Sequence, residues 1–227
     1  IVIITGANSG IGKAAVHRFA SEGHTVVMAC RSVSRSTPVR EEVVAASGNA
    51  QVELMELDMS SFASIRAFAE EFRHRHDRLD VLIHNAGYFR HGSPYRLSTD
   101  GIELTFATNV FGPWLLTEVL RDRLAQSDDA RILHAGSNII KHFFNPKLRI
   151  DLSNLRGERP ADPSFTVYDN YRNSKMALLM LTLRMAREFS ADGIGVNMLQ
   201  INGARMSKET LRTFSPRYRA IARMQNV

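Results

Sequence analysis

Six short apolar runs alternate with longer helical patterns along this chain, and that alternation restricts the fold more than any other feature. The runs cover residues 1–5, 24–30, 52–57, 79–84, 131–135 and 195–201. The first is apolar at successive positions, as a strand covered on both faces requires. Strands separated by helices are the signature of βαβ units and a parallel sheet. The order predicts an α/β architecture: one doubly wound, mainly parallel sheet with helices on both faces and ligands at the carboxyl ends of its strands. At 227 residues the chain suits a single domain, 1–227, and no linker or low-complexity tract divides it.

The helical patterns are specific enough to place faces and caps. After the first strand, Ile11, Ala15 and Phe19 recur at a spacing of four and predict the buried face of a helix. Thr37 is expected to cap the next helix, with Pro38 at its first position and Gly48 at its end. Ser61 caps a third, whose Phe62, Ile65, Ala69 and Phe72 share a face. Two helices, around 102–126 and 171–189, are apolar on most sides. A helix of that kind is buried all round, by its own chain or by a partner. The expectation is a homo-oligomer joined through these two helices.

Composition narrows the function. Hydrophobic residues make up 44% of the chain, which excludes disorder. A lone cysteine, Cys30, offers neither an internal disulfide nor a zinc cluster, so a reducing, cytoplasmic setting is expected. No run approaches the roughly 18 apolar residues of a membrane span. Because the chain opens at Ile1, inside a strand, any targeting or anchoring segment would lie upstream. The net charge is +6, but residues 205–227 hold six basic side chains against the single acid Glu209. A basic tail without a basic face or a zinc-finger or RNA-recognition signature does not make a nucleic-acid binder.

The turn after the first strand reads Thr5-Gly6-Ala7-Asn8-Ser9-Gly10-Ile11-Gly12. Glycines there let backbone N–H groups approach a pyrophosphate at a helix N-terminus. A tight turn without a ligand would use the same residues, but the position directly after the first strand points to a nucleotide. A P-loop is excluded, since Ala7 and Ala14 stand where its first glycine and its Ser/Thr belong. After the second strand comes Arg31, with no acid to bind a ribose 2′-hydroxyl. Arginine pairs with a 2′-phosphate that a carboxylate would repel, which favours NADP(H) over NAD(H).

Tyr171 and Lys175 are i and i+4, neighbours on one helix face. An ammonium about 4 Å from a phenol, at an effective dielectric near 20, favours the phenolate by roughly 4 kcal/mol. That would bring a group ordinarily titrating near pH ~10 down to a useful acid/base range. Tyr168 has Arg172 at the same spacing, but an arginine cannot pass on a proton.

Together these residues resemble the short-chain dehydrogenase/reductase family over essentially the whole chain: TGANSGIG at 5–12, Asp58, Asn85-Ala86-Gly87, Asn109, Ser137, and Tyr171 with Lys175. The phrases ACRS around Arg31 and LDMSS at 57–61, with the long segment from Ser137 to Tyr171, are most similar to the retinol dehydrogenase-like branch, which includes the WW-domain oxidoreductases. The resemblance implies a Rossmann domain with NADP(H) as cofactor, and an apolar alcohol or carbonyl as the small-molecule substrate. Tyr171 would be the acid/base and Lys175 would lower its pKa while holding the nicotinamide ribose. Ser137 would hydrogen-bond the reacting oxygen, and Asn109, at a helix irregularity favoured by Pro113, would hold a water. Gly6, Asn8, Ser9, Gly10, Ile11, Gly12, Arg31, Asp58, Asn85, Ala86, Gly87 and Gly203 would contact the cofactor, alongside Tyr171 and Lys175. No metal is expected.

The chain departs from the family at three points: Ala135-Gly136-Ser137 keeps one serine of two, Asn202-Gly203 replaces Pro-Gly, and His84 replaces the first asparagine of Asn-Asn-Ala-Gly. His84 and His134 read as hydrogen-bonded core histidines rather than metal ligands. Gly136-Ser137-Asn138 is no nucleophile elbow, which argues against a hydrolase. Leu211, Phe214, Tyr218 and Ile221 recur at helical spacing and predict a substrate lid around 204–227, with membrane-surface contact as the rival reading. Two other functions are compatible: reduction of an activated C=C bond, and a silent NADP(H)-binding sensor or scaffold.

Overall fold

The computed structural model describes residues 1–89, 95–145, 147, 149–150 and 167–202. Gly203 and the lid expected around 204–227 lie outside the described residues. Strands β1 (Val2–Thr5), β2 (Val26–Cys30), β3 (Val52–Glu56), β4 (Val81–His84), β5 (Arg131–Ala135) and β6 (Gly195–Leu199) form one sheet in the order 3-2-1-4-5-6. Every pairing is parallel, with Ile4 opposite Met28 on one side and Ile83 on the other. The order reverses between β1 and β4, where a crevice must open because successive helices leave in opposite directions.

Alternation along the strands divides the core into two layers. Val2, Ile4, Val26 and Met28 face α1 (Gly10–Ser21) and α2 (Val33–Ser47), packing with Val16, Ala20 and Val43. Ile3, Val27 and Ala29 point the other way. They meet Phe68 and Phe72 of α3 (Phe62–Arg75), Leu116 and Leu120 of α5 (Gly112–Leu124), and Met185 of α6 (Val167–Glu188). A helical turn, α4 (Leu104–Phe106), leads into α5 through a π-helical stretch over Ala107–Phe111.

Two local expectations are corrected. The face of α1 is rotated by one residue: Gly12, Val16 and Ala20 are buried, Ala15 and Phe19 flank them, and Ile11 is 43% exposed. At Gly12 the helix closes against the strand ends so tightly that a Cβ would lie 2.5 Å from Gly6 O and Asn85 Nδ2, which suits the rotated face. Helix α2 starts earlier than Thr37, with Ser32 as N-cap accepting from Arg35 N at 3.5 Å. Pro38 therefore lies inside it, where a missing N–H costs one helical bond. Gly48 ends α2 as expected, at φ 68°, and Ser61 caps α3 by accepting from Ser64 N.

On the outer faces of α5 and α6, Trp114, Met180 and Leu183 stay exposed, so the described residues do not cover those faces. Among the described residues no helix is long and apolar enough to cross a membrane, and no group of three or more His, Cys, Asp or Glu could hold a metal ion.

His84 and His134 sit opposite each other on β4 and β5, buried, with rings stacked at 4.8 Å. His84 Nε2 pairs with Thr117 Oγ1 at 2.8 Å. Thr182 donates to Leu178 O, so it accepts from His134 Nδ1–H at 2.9 Å. Burial, aided by the charge of Lys175, brings the His134 imidazole down to about 4, and burial with His134 lowers His84 as well. The unfolded chain therefore takes up protons first as the pH falls. Stability is lost between pH 6.5 and about 4, by on the order of 3 kcal/mol for His134 alone. His134→Gln should give a shallower acid limb in urea unfolding across that window; parallel limbs would contradict the assignment.

Candidate active site

At the reversal point the ends of β1 and β4 are sewn together. Thr5 Oγ1 donates to Ile83 O at 3.3 Å and accepts from Ala86 N at 2.9 Å. Asn85 Nδ2 reaches back to Thr5 O and Gly6 O. The chain passes between these groups only without side chains. Gly6 has φ 63°, and a Cβ on Gly12 would lie 2.5 Å from both Gly6 O and Asn85 Nδ2. Asn8 Nδ2 then donates to Ser36 Oγ, whose own hydroxyl donates to Ser32 O, fastening the glycine turn to the start of α2.

A cavity of about 370 Å³ opens along this seam. Gly6, Asn8 and Ser9 form its floor, and Asn85, Ala86 and Gly87 one wall. Arg31 lies at its β2 end, joined by Ser32 and Arg35, and Asp58 lines it between Leu57 and Met59. Gly10, Ile11 and Gly12 do not line it; Gly12 shapes the turn from behind. Asp58 Oδ1 is committed to Ser60 N and Ser60 Oγ, which fixes the loop after β3. The sequence reading missed Ser32 and Arg35. Arg35 stands one helical turn beyond Arg31, and both guanidinium groups are solvent-facing cations on the cavity rim. The early start of α2, hidden by Pro38, places the pair there. Glycines flush with a helix start and two arginines beside an N-cap serine fit a dinucleotide that carries an additional phosphate.

Beyond Gly87 the remaining site residues converge. Lys175, 5% exposed, donates from Nζ to Ala135 O at 2.8 Å and lies 5.7 Å from the centre of the Tyr171 ring. Its ammonium and Asn109 Oδ1 flank Gly87, where a Cβ would be 3.7 and 3.6 Å away. Ser137, two residues past β5, is the N-cap of the short 3₁₀ turn Asn138–Phe144; its Oγ accepts from Ile139 N and its hydroxyl hydrogen-bonds Tyr171. Phe89 packs on the Tyr171 ring at 4.5 Å. Gly136 stands where the family resemblance expects serine because Met198 occupies that space, 2.8 Å from where a Cβ would be.

The electrostatics differ from expectation. Burial raises the Tyr171 phenol above its ordinary value, opposed by the Ser137 hydrogen bond. The predicted lowering by Lys175 does not appear: the ammonium is turned to the Ala135 carbonyl, and desolvation brings the amine itself down to about 8. Asn109 does sit in an irregular stretch, and Gly112 N donates five residues back to Ala107 O, one position ahead of Pro113. Its side chain, 1% exposed, accepts from Tyr88 N at 2.7 Å and donates to Tyr88 O and Ser174 Oγ, both at 3.1 Å.

Comparison with known proteins agrees with this geometry. The sequence model of one family, short chain dehydrogenase, matches residues 1–144. Retinol dehydrogenase 12 of Mus musculus is 37% identical over 194 residues, 86% of this chain and 58% of that protein. Retinol dehydrogenase 11 of Homo sapiens is 36% identical over the same shares. The chain thus spans 58% of the length of these relatives. Among solved structures, a short-chain dehydrogenase from Sphingobium yanoikuyae in complex with NADPH is 28% identical, with a TM-score of 0.66 over 88% of this chain and 69% of that one. A metagenomic short-chain oxidoreductase in complex with NADP is 25% identical, with a TM-score of 0.67 over 90% and 82%.

The seam makes a direct prediction. In Gly12→Ala the new methyl meets the backbone carbonyl of Gly6, which has no rotamer with which to yield. Thermal or urea unfolding should show a loss of about 1–3 kcal/mol, and a variant as stable as the wild type would contradict the packing.

Proposed function

The chain belongs to the short chain dehydrogenase family, and we propose that it interconverts an alcohol and a carbonyl with NADP(H), on a small apolar or lipid-like substrate. One observation carries this reading: the buried Lys175 ammonium, 5.7 Å from the centre of the Tyr171 ring, lies against Gly87, which lines the crevice that Arg31 and Arg35 edge. Relatives named as retinol dehydrogenases support the apolar substrate, and NADP(H)-bound neighbours support the cofactor.

When bound, the nicotinamide supplies or accepts the hydride. The chain's own residues handle the proton and the oxygen. A phenol raised above its ordinary value stays protonated at neutral pH, so Tyr171 is a proton donor to a carbonyl oxygen as negative charge builds there. Ser137 has its oxygen occupied by Ile139 N and its hydrogen free to turn from Tyr171 to that oxygen, stabilising the charge. Lys175, titrating near 8, compensates the phenolate left behind. In the reverse direction the same phenolate takes the alcohol proton. Asp58 and the apolar side chains beside it would hold the adenine, and Arg31 with Ser32 and Arg35 the 2′-phosphate. The uncovered Trp114, Met180 and Leu183 support a homo-oligomer through α5 and α6.

Two experiments test the reading. Tyr171→Phe should lower NADPH-dependent reduction of apolar aldehydes by about 10²–10⁴-fold with NADPH binding kept; turnover at the wild-type rate would overturn the acid/base role. Arg31→Ala combined with Arg35→Ala should weaken NADPH binding by at least about tenfold and leave NADH binding nearly unchanged. Equal losses for both nucleotides would remove the phosphate assignment.

A further inference from the structure

Ser174, the residue before Lys175, is fully buried, although nothing in a surface helix of this kind requires a hydroxyl at that point. Its hydroxyl donates to Tyr171 O at 2.7 Å and accepts from Asn109 Nδ2 at 3.1 Å. A serine bonding back three residues within a helix ordinarily loosens that turn; here the oxygen is also held from outside. The second Asn109 Nδ2 hydrogen and Oδ1 go to the backbone of Tyr88, the residue after Gly87. One carboxamide therefore joins the crevice wall, the π-helical stretch and the turn of α6 that carries both Tyr171 and Lys175.

We propose that Ser174 is a positioning residue: through its two hydrogen bonds it locks the helical turn bearing Tyr171 and Lys175 to the Asn109–Tyr88 clamp, fixing both side chains relative to the crevice. This rests on the acid/base reading of Tyr171. Geometry makes the lock necessary. Lys175 has one described hydrogen bond, to Ala135 O, so its direction depends on how the turn of α6 that carries it is held. Asn109 cannot hold the turn alone, since Nδ2 needs an acceptor on α6 and the backbone carbonyls there are committed along the helix. Among the described residues, the titratable groups that bear on Lys175 are His134 from β5 and Tyr171 on its own helix. A loosened turn admits water to the amine, relieves its desolvation and moves it back toward the ordinary lysine range.

The test compares wild type, Ser174→Ala, Ser174→Cys and Tyr171→Phe with NADPH and a panel of apolar aldehydes. Ser174→Ala should lower kcat by about ten- to a hundredfold, keep the NADPH dissociation constant within about twofold of wild type, and move the pH limb of kcat upward. Ser174→Cys, which keeps a weak donor and acceptor of similar size, should fall between. A merely structural role would not shift the pH limb while sparing nucleotide affinity. Wild-type kcat and pH profile in Ser174→Ala, with Tyr171→Phe inactive, overturns the positioning role alone. An active Tyr171→Phe overturns the acid/base reading itself. Loss of NADPH binding in both Ser174 variants makes the residue a folding requirement and also overturns the proposal.

Discussion

The arrangement depends on one steric constraint: the glycine turn, Asn85 and the end of β1 must share a space that holds no further side chain. The Asn85 amide bridges Thr5 O and Gly6 O, and Gly12 closes against Asn85 Nδ2 and Gly6 O from the helix side. From that contact the rest follows in order. It rotates α1 by one residue relative to its apolar pattern and anchors Asn8 to Ser36. It also leaves the parting of β1 and β4 open as a crevice with backbone exposed along its floor. Such a floor accepts phosphate, because N–H groups at a helix start carry partial positive charge.

The second determinant is desolvation. Lys175 and Tyr171 are both drawn out of water, and the same cost of burying a charge drives their pKa values apart: the amine falls to about 8 while the phenol rises. A protonated phenol beside an amine that titrates near neutrality is a donor with a compensating charge at hand. Burial likewise favours the neutral form of both histidines, which face each other on the adjacent strands β4 and β5, and the Lys175 charge adds to the effect on His134.

Much of this was legible in the residues. The alternation of runs gave the sheet and its parallel order, since βαβ connections leave few other topologies. Ser61 and Gly48 marked real helix ends, and Pro113 marked the irregular stretch that carries Asn109. What stayed hidden depended on contacts distant in sequence. Pro38 reads as a first helical position, yet Ser32, not Thr37, caps the helix, with Ser36 one turn in joined to Asn8; only that earlier start reveals Arg35 as a rim residue. Periodicity chose Ile11, Ala15 and Phe19 as the face of α1, and a glycine with no hydrophobicity displaced them. Coulomb attraction alone suggested a lowered phenol, but the ammonium prefers a carbonyl acceptor and burial acts on the ring. Ser174 could not be singled out at all, because its importance comes from an asparagine 65 residues away.

Hydride transfer to an oxygen-bearing carbon is the claim that gives every one of these residues its role. The most direct measurement is mass spectrometry of the product formed from NADPH deuterated at the transferring position of the nicotinamide and an apolar aldehyde. The account predicts an alcohol carrying one deuterium on the former carbonyl carbon, from a single face of the nucleotide, and none of it from Tyr171→Phe. A saturated aldehyde labelled at its former double bond, or no labelled product despite tight NADPH binding, would contradict it.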